Sequence, residues 1–128
     1  MIVDSSAVVS VLLREDGHDH LAEKMRDAHR VAIGAPTLAE TMTVMIRRHG
    51  EPGLEAILRF LDEMEVRIVR FDGRHAHMAG EASLRFGKGR HPARLNYGDC
   101  MTYATARIAD EPLLFIGDDF AQTDIQAA

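Results

Sequence analysis

The sequence predicts an α/β domain of three layers, α/β/α, built around a mostly parallel central sheet. Four short apolar runs, Met1–Val3, Arg30–Ala35, Val66–Phe71 and Leu113–Ile116, alternate with longer stretches whose apolar residues recur at helical spacing, the pattern of strands joined by helical crossovers. Two of these runs finish directly on acids, at Asp4 and at Gly117-Asp118-Asp119, and the carboxyl edge of a parallel sheet is where such side chains gather. With 128 residues, 46% of them hydrophobic, the chain can bury one substantial core, so residues 1–128 are expected to form a single domain.

Each element has its own signal. Met1 to Val3 is a strand ending on Asp4, and Ser5-Ser6 offers an N-cap to a helix over Ala7 to Leu13. Asp4 then has two readings of equal weight, a charge favoured by the helix dipole or an acid at the ligand-binding edge. Leu21, Ala22, Met25 and Ala28 place a helix over His18 to Ala28. After the second strand, Thr37 and Glu40 match the S/T-x-x-E capping box, which explains Glu40 as a cap as readily as a cleft acid. Gly50-Glu51-Pro52-Gly53 reads as a turn, and Leu54, Ile57, Leu58 and Leu61 as an amphipathic helix after it. Asp72 caps a helix that runs to about Phe86, and the alanine-rich stretch Leu95 to Arg107 is a buried helix with Asp99 near its head.

Composition excludes several classes. No apolar run approaches the roughly 18 residues that span a bilayer, and the first residues lack signal-peptide character, so a cytoplasmic protein with no membrane association is expected. The single cysteine, Cys100, forms no internal disulfide. His18 and His20, like His75 and His77, are two residues apart; that spacing aims them to different sides of a helix, and they read as solvated surface groups rather than a zinc site. A net charge of −5 argues against broad electrostatic adhesion to nucleic acid, although clustered metal-binding carboxylates lower the net charge in the same way.

Crossovers of the usual hand bring Asp4, Glu40, Asp99 and the Asp118-Asp119 pair to one edge. Carboxylates about 4 Å apart repel by roughly 4 kcal/mol per pair at an effective dielectric of 20, so such a cluster calls for a cation or protons. All-oxygen ligation selects Mg²⁺ or Mn²⁺ over zinc, and the matching chemistry is phosphodiester hydrolysis. The stretch from Ala82 to Gly98 contains no acid but carries Arg85, Lys88, Arg90 and Arg94, a basic lip suited to flanking phosphates, with Tyr97 able to stack on an unpaired base.

Together, Met1-Ile2-Val3-Asp4-Ser5-Ser6-Ala7, Pro36-Thr37-Leu38-Ala39-Glu40, Leu95-Asn96-Tyr97-Gly98-Asp99-Cys100 with Tyr103-Ala104, and Leu113-Leu114-Phe115-Ile116-Gly117-Asp118-Asp119-Phe120 with Thr123-Asp124 resemble a PIN-domain ribonuclease of the VapC toxin type over the whole chain. The resemblance implies a PIN-like fold and a Mg²⁺- or Mn²⁺-dependent endoribonuclease directed at tRNA or rRNA. It also implies a homodimer, using some of the methionine-rich apolar surface, and neutralisation by a VapB-type antitoxin. Asp4, Glu40, Asp99 and one or both of Asp118 and Asp119 become its acidic residues, with Asp4 and Asp99 as direct metal ligands. An antitoxin arginine reaching Asp4 or Asp99 follows from the charge of the cleft. Two other readings are a PIN-like binding module without catalysis and a housekeeping PIN nuclease. An aspartate-nucleophile phosphatase is disfavoured, because Ser6 stands where its second aspartate belongs.

Overall fold

The first apolar run becomes an inner strand of a four-stranded sheet. In the computed structural model, which describes residues 1–128, β1 (Ile2–Val3) lies between β2 (Ala32–Gly34) and β4 (Leu113–Leu114), with β3 (Arg67–Val69) outside β2. All three pairings are parallel, so the sheet is wholly rather than mostly parallel. Its order, β3-β2-β1-β4, sets every carboxyl end along one edge.

Two residues suffice for β1 to divide the core, because neighbouring strand side chains point to opposite faces. Ile2 packs with Phe86, Leu95, Cys100 and Tyr103. Val3 packs with Val8, Met25, Ile33 and Ile57 on the other side. The first cluster belongs to α5 (Gly73–Phe86) and α6 (Tyr97–Ala109); the second belongs to α1 (Ser5–Leu13), α2 (His18–Asp27), α3 (Ala35–His49) and α4 (Glu51–Glu63). This is the expected α/β/α layering. Each large side chain buried here contributes on the order of 1.5–3 kcal/mol.

Several local expectations change. The strands are shorter than the apolar runs that announced them, because each chain segment leaves the ladder to enter a helix or turn. Helix α1 starts at Ser5 with Asp4, not Ser5 or Ser6, as its N-cap. Helix α3 starts at Ala35 with Gly34 at the cap and no side-chain cap bond, so the Thr37–Glu40 capping box does not form. A proline in the first turn, where no N–H is needed, makes that earlier start possible. The expected turn at residues 50–53 narrows to Gly50, at φ 61°, and Glu51 already belongs to α4. Gly53 is helical, and its lack of a side chain serves packing: a Cβ there would lie 2.4 Å from the Met45 carbonyl oxygen of α3.

Asp72 caps α5 as expected, accepting from the Arg74 and His75 N–H groups. His75, however, is buried rather than solvated, with its Nδ1 against Asp72 at 2.9 Å. None of the seven methionines is exposed; Met25 and Met45 are buried and the others half-buried. The exposed large apolar side chains are Ile46, Leu58, Ile68, Leu84, Tyr97 and Ile116. No helix is long and apolar enough to cross a membrane.

The α3–α4 contact supplies a stability test. Gly53→Ala drives its methyl into the Met45 backbone, which cannot swing aside as a side chain would. A loss of about 1–3 kcal/mol is expected, the usual cost of overpacking, read as a lower urea midpoint with an unchanged m-value.

Candidate active site

Asp4 is 5% exposed, and its burial is possible because most of its acceptor capacity is filled. Oδ2 accepts from the Ser6 N–H (2.9 Å) and the Ser6 hydroxyl (2.6 Å), while Oδ1 accepts from the Thr102 hydroxyl (3.0 Å). Thr102 and Thr37 hydroxyls are 2.9 Å apart. Since the one Thr102 proton goes to Asp4, Thr37 donates in that pair, making a relay Thr37→Thr102→Asp4 from α3 through α6 to the end of β1. Ser6 Oγ in turn accepts from the Ile116 N–H at 3.1 Å, tying the turn after β4 to the same carboxylate. A carboxylate accepts about four hydrogen bonds; three are made, leaving one lone-pair direction on Oδ1.

Asp99 has a structural role that its sequence context hides. It is the third residue of α6, where its Oδ2 accepts from the Asn96 N–H (2.8 Å) while the Asn96 side chain accepts from the Asp99 N–H (2.9 Å). This reciprocal capping box uses one oxygen and leaves Oδ1 unengaged. Burial pushes the Asp99 pKa up to about 6, against the Asn96 hydrogen bond that lowers it, with Asp4, Asp119 and Glu40 adding like-charge repulsion. Those three acids are therefore its electrostatic neighbours; Asp118 and Asp119 are both exposed, and of the pair it is Asp119 whose charge reaches Asp99.

Glu40, freed from the supposed cap, sits in the second turn of α3 and meets α6. A Cβ built on Gly98 would lie 2.9 Å from both Glu40 carboxylate oxygens, so the bare glycine is the seat of that carboxylate. Burial raises the Glu40 pKa, as does the Asp4 charge, and a Ser5 hydrogen bond opposes them. As they stand, no three acidic, histidine or cysteine side chains close on one point at metal-ligating distance. The donor set nevertheless fits a hard divalent cation: every candidate is a carboxylate oxygen, Asp4 and Asp99 each keep a free acceptor direction on Oδ1, and the mutual repulsion is what a cation relieves.

The basic lip divides. Arg85 donates to Asp124 at 3.0 Å, and its guanidinium lies 4.6 Å over the Phe86 ring, so alone among the four cations it is already paired within the fold. Tyr103, from α6, donates to the same Asp124 at 2.7 Å. Burial opposes ionisation of Asp124, but the Tyr103 and Arg85 hydrogen bonds hold its pKa below the usual range; burial and Asp124 push the Tyr103 phenol to about 12. Lys88, Arg90 and Arg94 are exposed and take part in no ion pair. Their loop is nonetheless fixed, closed by Leu95 N–H to Phe86 C=O (2.9 Å) and Lys88 N–H to Leu95 C=O (3.1 Å), with Ala93 and Leu95 buried beneath it. Tyr97 stands 82% exposed at the first position of α6.

The residues missed by sequence reasoning are Ser6, Thr37 and Thr102. Ser6 and Thr37 each have a capping explanation in the sequence, and Thr102 carries no signal there. Only a hydroxyl every few residues on otherwise apolar helix faces hinted that something buried needed donors.

Comparisons with known proteins define the family and the fold. The PIN domain family model matches residues 1–126. The chain is 45% identical to ribonuclease VapC36 of Mycobacterium tuberculosis over 98% of this chain and 91% of that one. It is 39% identical to ribonuclease VapC of Mycolicibacterium smegmatis over 99% and 98%. Among solved structures, VapC20 of Mycobacterium tuberculosis, described as a sarcin-ricin loop cleaving toxin, superposes with a TM-score of 0.80 at 18% identity, covering 99% of this chain and 97% of that one. VapBC2 of Rickettsia felis, bound to a DNA fragment from its promoter, gives 0.74 at 17% identity, covering 98% and 94%. Both show the same fold. The chain belongs to the PIN-domain family and, within it, to the VapC group.

Stability and turnover both test the site. An acid whose folded pKa is raised from 3.8 to about 6 lets the folded state hold the proton more tightly, so stability falls as pH rises through that window. In chelator, Asp99→Asn is therefore expected to melt above the wild type at pH 7, with the difference closing below pH 4. Adding Mg²⁺ or Mn²⁺ should raise the wild-type Tm by mass action and leave Asp99→Asn unmoved. Gly98→Ala should separate function from folding. The helix gains propensity worth up to about 1 kcal/mol, while Glu40 is displaced, so an unchanged or higher Tm is expected together with RNA cleavage reduced about 10- to 100-fold, the scale seen when groups around a metal site are disturbed.

Proposed function

We propose that this chain is the toxin of a type II toxin–antitoxin pair, an endoribonuclease that hydrolyses RNA phosphodiester bonds with Mg²⁺ or Mn²⁺ and acts on tRNA or rRNA. The observation that carries the proposal is Asp99: a partly buried acid at the head of α6, with Asp4, Asp119 and Glu40 close enough to raise its pKa. An acid set this complete favours catalysis over a binding module that has lost it. The named ribonucleases among the relatives support the same activity.

In this mechanism Asp4 and Asp99 would hold the ion, each having acceptor capacity left. A divalent ion there would supply Lewis acidity toward a phosphate oxygen and a water molecule. Asp4 is aimed by Ser6, Thr102 and, through Thr102, Thr37, so its remaining acceptor direction is set before substrate arrives. Glu40, kept off a helix cap and seated on Gly98, is placed to accept a proton from attacking water, and its raised pKa brings it nearer the pH at which that transfer is efficient. Asp119 completes the acidic field. Lys88, Arg90 and Arg94 face solvent with their charges unpaired and serve the substrate's flanking phosphates.

A VapB-type antitoxin is the proposed partner, as the toxin–antitoxin complexes among the structural neighbours suggest, and a homodimer is the proposed assembly. An arginine offered by the antitoxin is expected to engage Asp99, since Asp4 has one acceptor direction left and Asp99 Oδ1 is unengaged.

Purified, partner-free protein is expected to cut RNA with Mg²⁺ or Mn²⁺, to stop on addition of chelator, and to resume when the metal is restored. Asp99→Ala is expected to be about a hundredfold slower or worse while retaining its circular dichroism spectrum. Cleavage by Asp99→Ala at the wild-type rate would overturn the mechanism.

A further inference from the structure

Beside the acidic cluster lies a second feature that its chemistry leaves unused. A cleft of about 590 Å³ runs between α5 and the head of α6. Its floor is apolar, formed by Phe71, Ala79, Leu95, Cys100 and Met101, while Lys88, Asn96 and Tyr97 stand on its walls. One wall is therefore the capping box that holds Asp99, since Asn96 and Asp99 exchange their two hydrogen bonds there. Asn96 thus belongs both to the cleft and to the cap that holds Asp99.

We propose that this cleft is a nucleobase site, which receives the base of a nucleotide flanking the scissile bond, stacks it on Tyr97 and holds that nucleotide's phosphate through Lys88. The inference rests on the ribonuclease activity proposed above. Three properties select this occupant. The floor is apolar with a few polar groups at the rim, which suits a flat heterocycle that carries its hydrogen-bonding atoms on its edges. Tyr97 is an aromatic ring 82% exposed at the entrance, a stacking platform of the kind that single-stranded nucleic acid uses. The bordering loop presents Lys88, Arg90 and Arg94 without an intramolecular counter-ion, which complements a polyanion. A second copy of the chain is the less favourable occupant, because a twofold contact through one patch would set these unpaired cations against their own counterparts.

Gly80 gives the means of testing it. It lines the cleft, and a Cβ added to it meets nothing within 4 Å, so Gly80→Leu introduces bulk at the opening without a clash at its Cβ, and its circular dichroism spectrum checks the fold. Tyr97→Ala removes the platform. Wild type and both variants would be given a randomised single-stranded RNA library with Mn²⁺, the cut ends sequenced, and kcat/KM measured on the best-cleaved oligonucleotide and on copies carrying one abasic residue on either side of the cut. Oligomeric state would be followed by light scattering.

The expected result is that both variants lose about 10- to 100-fold on the intact oligonucleotide, the range of one lost base–aromatic stack, and that base preference next to the cut flattens. An abasic residue on one side should cost the wild type a similar factor and the variants nothing further. Variants that keep the wild-type rate and preference would overturn the assignment, as would losses equal on intact and abasic RNA. A change in oligomeric state with unaltered base preference would assign the cleft to a second copy instead. If wild-type protein cuts no RNA at all, the ribonuclease activity fails first and the base site falls with it.

Discussion

The burial of one carboxylate organises the carboxyl edge of this sheet. An ionised acid removed from water costs several kcal/mol unless its lone pairs are answered, and Asp4 is answered from three directions. Its own helix supplies Ser6, α6 supplies Thr102, and α3 stands behind Thr102 through Thr37. Ser6 then reaches the turn after β4. Four segments that are distant in the chain are thus held to one oxygen pair, and they are the segments that carry the other acids. The same bonds that make Asp4 tolerable in the core place Glu40, Asp99 and Asp119 around it.

Asp99 shows how a group can serve helix and site together. Its Oδ2 is committed to the Asn96 backbone, which fixes the side chain's rotamer at the head of α6. Its Oδ1 remains available. A carboxylate aimed by its own helix cap needs no further support, and the ordering cost of the side chain is met by folding rather than by ligand. Burial, with like charge from Asp4, Asp119 and Glu40 added to it, raises its pKa to about 6, and a cation bound there would be held partly by the repulsion it relieves.

The basic loop is built on a division of labour within one run of residues. Arg85, at the end of α5, is spent on Asp124, which Tyr103 also holds; this clasp fastens the C-terminal segment, and with it Phe120, to the α5–α6 layer. Beyond Phe86 the chain turns back on itself and closes with backbone bonds at Leu95. With Ala93 and Leu95 buried, Lys88, Arg90 and Arg94 have only solvent to face. Charges kept exposed and unpaired on a fixed loop are dependable contacts for an anion in a way that charges on a floppy one are not.

Sequence alone determined what periodicity and composition report. The alternation of apolar runs and amphipathic segments specified an α/β/α domain, because strand and helix periods are local properties of the chain. The pattern of acids at strand ends, with the family motifs around them, nominated Asp4, Glu40, Asp99 and the Asp118-Asp119 pair. Tertiary structure decided the rest, wherever two local explanations competed for one residue. Glu40 matched a capping box that failed because α3 began three residues earlier, at Ala35, and only the approach of Gly98 shows where its carboxylate goes instead. Arg85 had the same credentials as Lys88 until Asp124, far along the chain, claimed it. Asp119 was separated from Asp118 by which of them feels Asp99, and Thr37 and Thr102 became visible only as a pair. A hydroxyl or a charge has no direction in sequence; its partner is chosen by contacts that the fold brings together from the far ends of the chain.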